Sequence, residues 1–420
     1  MKRLELLSAA TILLSIIMTF YEAQAQNIWQ QIYPTGELPE ARQGHTMVSI
    51  GDKIYLYGGM SYDKSIFNHI SVYDVEQQWV KEKPVYAPPV RHHHKAIAYE
   101  NKMYIFFGCG ETQKYNDTWY YNTVTKEWTE INVPEPRPAA RSQCSGVLIG
   151  NMIWFFGGLD QDENILNDLW AYNLSDGAWE QYPPSALTSL YGHISGQNDD
   201  NIIYLFGGFN NTGLNSEMIA YNIGNNSWSI VVPEGEIPTP TANMCVVPYL
   251  NNIAYLFCGT DDEGPVGNCY KWDLTNNNFY QYAAGPTLNN AAASFINPYN
   301  GDKSTTFQKF IVFGGNDGDE ILGNTWEYVS DIEITTDINS ATFNANICHT
   351  PNTDNIVLEI YDLNTQYSYQ IIDITGKILL SDRISNFQTE IYTRDLNQGM
   401  YFVNIFNNNS KILTLKFLKP

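Results

Sequence analysis

Residues 54–59 read IYLYGG, an apolar strand that ends in two glycines, and the same kind of stretch recurs five more times along the 420-residue chain. The other copies are YIFFGC at 104–109, IWFFGG at 153–158, IYLFGG at 203–208, AYLFCG at 254–259 and FIVFGG at 310–315. We place the first members of the glycine pairs at 58, 108, 157, 207, 258 and 314, which gives a period close to 50 residues. A fixed period of this length is typical of stacked supersecondary units.

Each repeat carries two further strand patterns with a large aromatic residue in each. The first aromatics after the glycine pairs are Tyr73, Tyr121, Tyr172, Tyr221, Trp272 and Tyr328. Six or seven residues further on lie Trp79, Trp128, Trp179, Trp228 and Phe279. A short strand also precedes each glycine strand, as in HTMVSI from His45. Four strands per repeat predict one β-propeller blade, in which glycine allows close backbone approach and the aromatics fill the wedge between sheets.

The sixth repeat lacks its second aromatic, because the sequence changes character after Tyr328. Trp29, in the stretch NIWQQIY, lies 50 residues before Trp79 and is in phase with the series. We therefore predict that an N-terminal strand completes the last of six blades, which would remove a free sheet edge.

The pattern of a glycine pair, a spaced Tyr and a spaced Trp resembles the kelch family over residues 27–331. The stretch ELPEARQGHTMVSIGDKIYLYGG is similar to kelch propellers that serve as protein-interaction modules. The departures from the family pattern are Cys109 and Cys258 in the glycine pairs and Phe279 in place of Trp. The resemblance implies an all-β fold with a six-bladed kelch β-propeller at residues 26–331. Composition agrees, since 14% of residues are aromatic and only 16% are charged.

After the repeats, residues 332–345 read as a linker and residues 346–420 as a small immunoglobulin-like β-sandwich of alternating strands. The stretches SYQIIDITGKIL, LNQGMYFVNIF and KFLK resemble the C-terminal sorting domain of Bacteroidetes proteins exported by type IX secretion. The usual opening Pro-Asn-Pro is reduced to Pro351-Asn352. The resemblance implies that the secretion machinery reads the tail, which is then cleaved or anchored at the surface. An ordinary accessory sandwich is the alternative.

The first 25 residues have the pattern of a secretory signal peptide. Lys2 and Arg3 precede an apolar run from Ala9 to Phe20, and Ala23-Gln24-Ala25 forms a small-x-small cleavage site. The run is short for a membrane span and no later stretch is apolar enough, so we expect no transmembrane segment. The mature chain is expected to begin at Gln26 and to reach the medium or the outer-membrane surface through the periplasm.

The formal net charge of −22 argues against nucleic acid or an anionic membrane as a partner, because phosphate binding needs clustered Lys and Arg. The six cysteines lack the dense spacing of a disulfide scaffold. Cys258 and Cys269 are the expected pair if one forms. We expect a monomer.

Loop lengths predict where a ligand binds. The loops after the glycine pairs and the Pro-rich links between blades are longer than the other turns, and antiparallel strand order places both on one face. We predict that this long-loop face and the channel mouth bind a protein or glycan. Candidate contacts are Tyr62, Asp160, Asn210, Asp261 and Asp317. The acidic loops at 160–163 and 316–320 lack the residue spacing of a dedicated calcium loop, but their oxygen ligands keep Ca²⁺ as an alternative. No other cofactor is expected.

Two further sets of residues precede the glycine strands. His45, His94, Cys144, His193 and Cys245 lie thirteen or fourteen residues before the glycine pairs. Imidazole and thiolate suit zinc or copper, so His45, His94 and His193 are metal candidates, although packing between blades is the favoured interpretation. Just upstream lie Arg42, Arg91 and Arg141. They can bind ligand carboxylates at the channel mouth or form a structural salt bridge or carbonyl contact.

No GxSxG, Walker or HExxH motif is present in the sequence. The prediction is therefore a binding module without catalysis. The alternative is a carbohydrate-active enzyme similar to the bacterial sialic-acid mutarotases, which are exported six-bladed propellers. Clustered Arg, His and Glu side chains in the channel, with a shifted pKa, would favour the enzyme.

Overall fold

The computed structural model describes residues 28–74, 76–249, 252–296 and 307–331 of the repeat region, and 345–349, 355–360, 367–373, 377–384, 388–394, 396, 399–407 and 410–419 of the tail. The predicted signal peptide, the mature start at Gln26 and residues 332–344 of the predicted linker lie outside these ranges. The chain divides into two compact units, with the boundary between Ser330 and Asp331. Every element within the described ranges is a strand, and none of these residues forms a helix that could cross a membrane.

Six four-stranded antiparallel sheets confirm the predicted propeller. From the innermost strand outwards, blade one contains Thr46–Ile50, Lys53–Tyr57, Ile70–Tyr73 and Gln78–Glu82; blade two contains Lys95–Tyr99, Lys102–Phe106, Thr118–Asn122 and Glu127–Ile131; and blade three contains Ser145–Ile149, Met152–Phe156, Leu169–Asn173 and Trp179–Tyr182. Blade four contains Ile194–Gln197, Ile202–Phe206, Met218–Asn222 and Ser227–Val231; blade five contains Cys245–Tyr249, Ile253–Phe257, Cys269–Asp273 and Asn278–Gln281; and blade six contains Ala292–Ile296, Phe307–Phe313, Thr325–Asp331 and Ile28–Ile32.

Shorter strands extend two of these sheets and build three loop ribbons. Thr35–Gly36 and Glu234–Gly235 run parallel to the outermost strands of blades one and five. The two-stranded ribbons pair Arg141–Ser142 with Leu159–Asp160, Phe209–Asn210 with Gly213–Leu214, and Thr260–Asp261 with Gly264–Pro265.

The two aromatics of every repeat stand directly opposite each other on the third and fourth strands of a blade. The register pairs are Tyr73 with Trp79, Tyr121 with Trp128, Tyr172 with Trp179, Tyr221 with Trp228, Trp272 with Phe279, and Tyr328 with Trp29. Their ring centroids are 4.8 to 5.4 Å apart. Each contact is worth about 0.5–1.5 kcal/mol beyond burial, so the repeat pattern marks the main packing contacts between strands.

The first described strand closes the ring, as predicted. Ile28–Ile32 pairs antiparallel with Thr325–Asp331 as the outermost strand of blade six. The ring of Trp29 also contacts Phe257 with centroids 5.3 Å apart, and its indole N–H donates to the carbonyl oxygen of Ala283 at 3.1 Å. The two ends of the repeat region therefore share one sheet, and the outer edge of Thr325–Asp331 is paired with Ile28–Ile32.

The glycine pairs lie where the chain enters the long loops, and both positions have left-handed backbone angles. Gly58 has a φ of 68°, and a Cβ there would lie 2.6 Å from the carbonyl oxygen of Arg91. In blade two this first position is Phe107, with a φ of 60°, and Gly108 takes the second. The pair predicted at 108–109 is therefore wrong by one residue. The Phe107 ring packs against aromatic rings of blade three, which offsets the backbone strain.

The expected disulfide between Cys258 and Cys269 is wrong, because both are buried free thiols. Cys269 is the register partner of Phe257, and Cys258 belongs to the left-handed turn that follows. The Cys258 thiol donates to the carbonyl oxygen of Pro286 at 3.6 Å. Burial raises the pKa of Cys269 to about 12, so both cysteines pack as small apolar side chains.

Within the described ranges, the second unit contains seven strands in two sheets. One sheet orders Ala345–His349, Asn355–Ile360 and Gln388–Tyr392, and the other orders Ile378–Ile384, Tyr367–Asp373, Gly399–Asn407 and Ser410–Lys419. Buried residues of both sheets form one apolar cluster that includes Leu358, Ile391, Ile371 and Val403. In chain order, the first, second and fifth described strands share one sheet, and the third, fourth, sixth and seventh share the other. The immunoglobulin-like topology of this unit stays a prediction.

Candidate functional site

In all six blades, a β-bridge joins the link that enters the blade to the loop after its glycine pair. The bridged residues are Gln43 with Met60, His92 with Cys109, Ser142 with Leu159, Tyr191 with Phe209, Ala242 with Thr260, and Asn289 with Asn316. These contacts hold both kinds of long connection together on one face of the propeller. The long-loop face predicted from loop lengths therefore has a floor of twelve bridged residues around the channel.

A second ring of residues lies one position further along each link, and we call it the mouth ring. Its members are Gly44, His93, Gln143, Gly192, Asn243 and Asn290, all with φ between 50° and 64°. Backbone N–H groups of one member donate to the carbonyl of another: His93 to Gly44, Gln143 to His93, Gly192 to Gln143, Asn243 to Gly192, and Gly44 to Asn290, at 2.6 to 3.0 Å. The main chain therefore ties neighbouring blades together around the channel.

The mouth ring carries polar side chains in four of its six positions. A Cβ on Gly44 would lie 3.0 Å from Nε2 of His93, so that imidazole lies across the glycine. The same Nε2 is 3.1 Å from Oδ1 of Asn290, and Nδ1 of His93 is 2.6 Å from Nδ1 of His92. Burial lowers the pKa of both imidazoles, that of His92 to about 4. Neutral imidazole and amide groups therefore line this side of the mouth.

An aromatic pair occupies another part of the floor. The rings of Tyr191 and Phe209 stack with centroids 5.2 Å apart and planes 25° apart, and both side chains are partly exposed. Their backbones are held by the β-bridge of blade four. Sequence reasoning missed these two residues, as well as His93 and Asn290. An alignment of the six links between blades, made from the first residue of each inner strand backwards, would have placed His93 and Asn290 at equivalent positions.

The metal candidates His45, His94 and His193 pack between blades. Each imidazole meets the aromatic ring at the end of the second strand of the preceding blade, edge to face, at 5.4 to 5.6 Å: His45 with Phe313, His94 with Tyr57, and His193 with Phe156. Burial lowers the pKa of all three, that of His193 to about 3. Nowhere in the described ranges do three or more His, Cys, Asp or Glu side chains gather as a metal site.

Cys245 is not equivalent to the other members of the predicted ring, which is a correction of one residue. The bridge of Ala242 with Thr260 aligns Met244 with His45, and Cys245 pairs with Phe257 as the first residue of its inner strand. Blade five has one more residue between this position and its glycine pair than blade one does. Counting back from the glycine pair therefore misplaces the cysteine.

The three arginines are fully buried and their donors already have partners. One Nη of each donates to the carbonyl oxygen of the first glycine-pair position of its blade: Arg42 to Gly58, Arg91 to Phe107, and Arg141 to Gly157, at 2.8 to 2.9 Å. Arg91 and Arg141 also form two-pronged ion pairs with Asp117 and Asp168. Arg42 pairs with Glu40 at 2.6 Å. This placement matches the structural alternative stated above, and we assign these residues no part in ligand binding.

The remaining candidates lie on the long loops of five different blades, and the structure does not gather them into one cluster. Tyr62 is 79% exposed. The Oδ1 atoms of Asp160, Asn210, Asp261 and Asp317 accept backbone N–H groups two residues further on, at 2.8 to 3.1 Å. Those contacts shape the hairpins. Hydrogen bonds also lower the pKa of Asp160 and Asp317, with Asn164 and the backbone of Glu320 as the main donors.

The inner strands of all six blades surround a central cavity of about 350 Å³. Its lining, as far as the structure describes it, includes no Asp, Glu or Arg. The acid and base cluster that would favour a mutarotase-like enzyme is therefore not found among these lining residues. Lys95 is the one charged side chain among them.

Comparisons with known proteins cover both units. Residues 110–320 match the model of the Attractin/LZTR1 beta-propeller, and residues 16–193 match the KLHDC2/KLHL20/DRC7 Kelch-repeats domain. Residues 350–419 match the secretion system C-terminal sorting domain. These matches agree with the propeller and the sorting tail predicted from the sequence.

Individual relatives share the repeats at low identity. The leucine-zipper-like transcriptional regulator 1 homolog of Drosophila melanogaster is 25% identical over 271 residues, which cover 59% of this chain and 27% of that protein. Kelch domain-containing protein 3 of Rattus norvegicus is 26% identical over 286 residues, 64% of this chain and 74% of the relative. A flagellar outer-arm dynein alpha chain of Chlamydomonas reinhardtii is 28% identical over 156 residues, 35% of this chain and 4% of its own. The chain thus spans only a small part of the first and third relatives.

Proposed function

The chain belongs to the Attractin/LZTR1 beta-propeller family and ends in a secretion system C-terminal sorting domain, and from this premise we propose that its propeller binds a protein or glycan ligand at the channel mouth. The sorting domain directs the chain to the secretion machinery, so the module is secreted or displayed at the outer-membrane surface. Binding therefore takes place outside the cell.

The observation that supports this proposal is that the bridged floor around the channel carries both a partly exposed aromatic pair and, at other positions, hydrogen-bonding side chains. Tyr191 and Phe209 offer stacked, partly exposed rings. His93 and Asn290 offer imidazole and amide groups in the adjoining mouth ring. Aromatic faces bind sugar rings or apolar peptide side chains, and amides fix the orientation of a ligand through hydrogen bonds. The β-bridges hold these groups in place before a ligand arrives, which lowers the entropic cost of binding.

The residues of the longer loops are proposed as outer contacts of the same ligand. Tyr62 is exposed enough to contact a large partner without rearrangement. Asn210 follows Phe209 directly, so a ligand on the aromatic pair would reach its loop. Asp160, Asp261 and Asp317 would contribute mainly through their exposed loop backbones, because their carboxylates shape the turns.

A glycan array and a pull-down from the natural medium, both with the mature chain from Gln26, would identify the ligand class. Tyr191→Ala and Phe209→Ala are each expected to weaken binding at least about tenfold, as truncation of a central aromatic contact does. Val124→Ala is the matched control, because Val124 is 72% exposed in the turn between the third and fourth strands of blade two, away from the long-loop face.

Two outcomes would contradict the proposal. If a captured ligand binds both aromatic variants as tightly as the unmodified chain, the channel mouth is not the binding surface. If the protein converts a free sugar instead of retaining it, the molecule is an enzyme of the mutarotase type. Sugar conversion can be followed by NMR of the anomeric protons.

A further inference from the structure

The cavity in the channel differs from the mouth in the residues that line it. Small side chains make up much of its wall, among them Ala96, Gly146, Gly196, Ala254 and Ala293. Its volume of about 350 Å³ lies within the range of sites that hold small organic molecules, roughly 300–1,000 Å³. The wall therefore leaves room for a compact ligand with an apolar body.

One positive charge enters this space. Lys95 is the first residue of the inner strand of blade two and lines both the cavity and the pocket at the mouth. The equivalent first residues of the other inner strands are uncharged, namely Thr46, Ser145, Ile194, Cys245 and Ala292. No hydrogen bond or ion pair joins the Lys95 ammonium to any residue in the described ranges, unlike Lys114 and Lys309, which pair with glutamates.

The surroundings of Lys95 do not supply a counter-charge. Its side chain runs along blade three, since a Cβ on Gly146 would lie 3.2 Å from its Cγ. The titratable groups whose charge it influences are Cys144 and His193, and burial keeps both of them neutral. Lys95 is partly buried, and an ammonium group that loses part of its hydration without gaining a counter-charge is less stable than one in bulk water. Burial accordingly lowers the pKa of Lys95.

We propose that the channel binds a small organic carboxylate, with its anionic group paired to Lys95 and its apolar body against the small side chains of the cavity wall. The site is separate from the aromatic pair at the mouth, so it goes beyond the proposed function and does not depend on it. The net charge of −22 does not prevent entry of an anion, because salt screens surface charges beyond about 8 Å at physiological ionic strength.

Calorimetric titration of the mature chain with sodium benzoate tests the proposal, and benzamide serves as the neutral ligand of similar shape. Benzoate is expected to bind at least about tenfold more tightly than benzamide, because a charge-assisted pair in a partly desolvated site is stronger than a neutral hydrogen bond. Lys95→Met should weaken benzoate binding by at least about tenfold and leave weak benzamide binding unchanged. Lys53→Gln is the control, because Lys53 is an exposed lysine on the second strand of blade one.

Thermal unfolding of Lys95→Met shows whether that variant folds, and it should unfold at or above the temperature of the unmodified chain because it lacks an unpaired charge. If Lys95→Met does not fold, the difference in affinity between benzoate and benzamide for the unmodified chain still tests the proposal. Equal affinity for the two ligands, no benzoate binding, or undiminished benzoate binding by folded Lys95→Met would each overturn the proposal. Tyr191→Ala should not change benzoate binding, which separates this test from that of the mouth.

Discussion

Replacement of Trp29 by Ala is the most direct test of how the propeller closes. Trp29 is the one large aromatic of the N-terminal strand that packs against blade six and against Phe257 of blade five. The substitution leaves the backbone pairing of Ile28–Ile32 with Thr325–Asp331 possible but removes the side-chain contacts that hold the strand there. Tyr33→Ala is the matched control, since Tyr33 follows the same strand and is 80% exposed.

The expected loss of stability follows from the contacts of the indole. Two aromatic contacts contribute about 0.5–1.5 kcal/mol each, the hydrogen bond to Ala283 contributes about 1 kcal/mol, and partial burial of the ring adds a similar amount. The sum is about 3–5 kcal/mol for Trp29→Ala, against less than about 0.5 kcal/mol for Tyr33→Ala. At about 2 °C per kcal/mol for a large domain, the melting temperature should fall by roughly 6–10 °C.

Differential scanning calorimetry of both variants and the unmodified chain measures this difference. The propeller transition of Trp29→Ala should move down, whereas that of Tyr33→Ala should stay within about 1 °C of the unmodified chain. If Trp29→Ala melts with Tyr33→Ala, the N-terminal strand does not hold blade six closed. Closure of the ring by this strand would then be refuted.

Two further predictions concern the buried charges and imidazoles. Asp168→Asn leaves the buried guanidinium of Arg141 without its carboxylate and should cost about 3–5 kcal/mol in urea unfolding, whereas Glu135→Gln, which breaks an exposed pair with Arg137, should cost less than about 1 kcal/mol. If Asp168→Asn lowers the free energy of unfolding by no more than about 1 kcal/mol, as expected for Glu135→Gln, the pair of Arg141 with Asp168 does not stabilise the propeller. Burial lowers the pKa of His193 from 6.5 to about 3, so only the unfolded chain takes up this proton as the pH falls below 6.5, and stability should decrease from there towards pH 3. His193→Gln should reduce that pH dependence of the unfolding free energy, and an unchanged slope would contradict the assignment.

The fold was predictable because its repeat pattern reports directly on packing. A left-handed pair at the end of the second strand favours glycine, and each cross-strand aromatic contact needs two large rings. Both features therefore appear in the sequence at a nearly fixed spacing. Errors of one residue arose at Phe107 and Cys245. Phe107 adopts the left-handed angles without being glycine, and an extra residue shifts the count in blade five. Spacing alone cannot detect either departure.

The candidate site was less predictable, because residue type does not show what a side chain contacts. The sequence suggests a ligand-binding role for Arg42, Arg91 and Arg141. In the structure, however, their guanidinium groups donate hydrogen bonds to carbonyl oxygens and carboxylates of the propeller itself. Tyr191 and Phe209 look like core aromatics, yet they meet on the floor of the channel mouth. Only the pairing of each link with the loop of its blade brings such groups together, and for Tyr191 and Phe209 the two partners are 18 residues apart in the sequence.

In the mouth ring, different atoms hold the blades together and face a ligand: main-chain atoms join the blades, and side chains are available for binding. Its blade-to-blade hydrogen bonds use only main-chain atoms, so exchange of one side chain for another leaves them intact. The left-handed angles at these positions are easiest for glycine and asparagine, with histidine and glutamine also present here. A relative with the same propeller can therefore acquire a new binding preference through a few substitutions in the mouth ring, without loss of the hydrogen bonds between its blades.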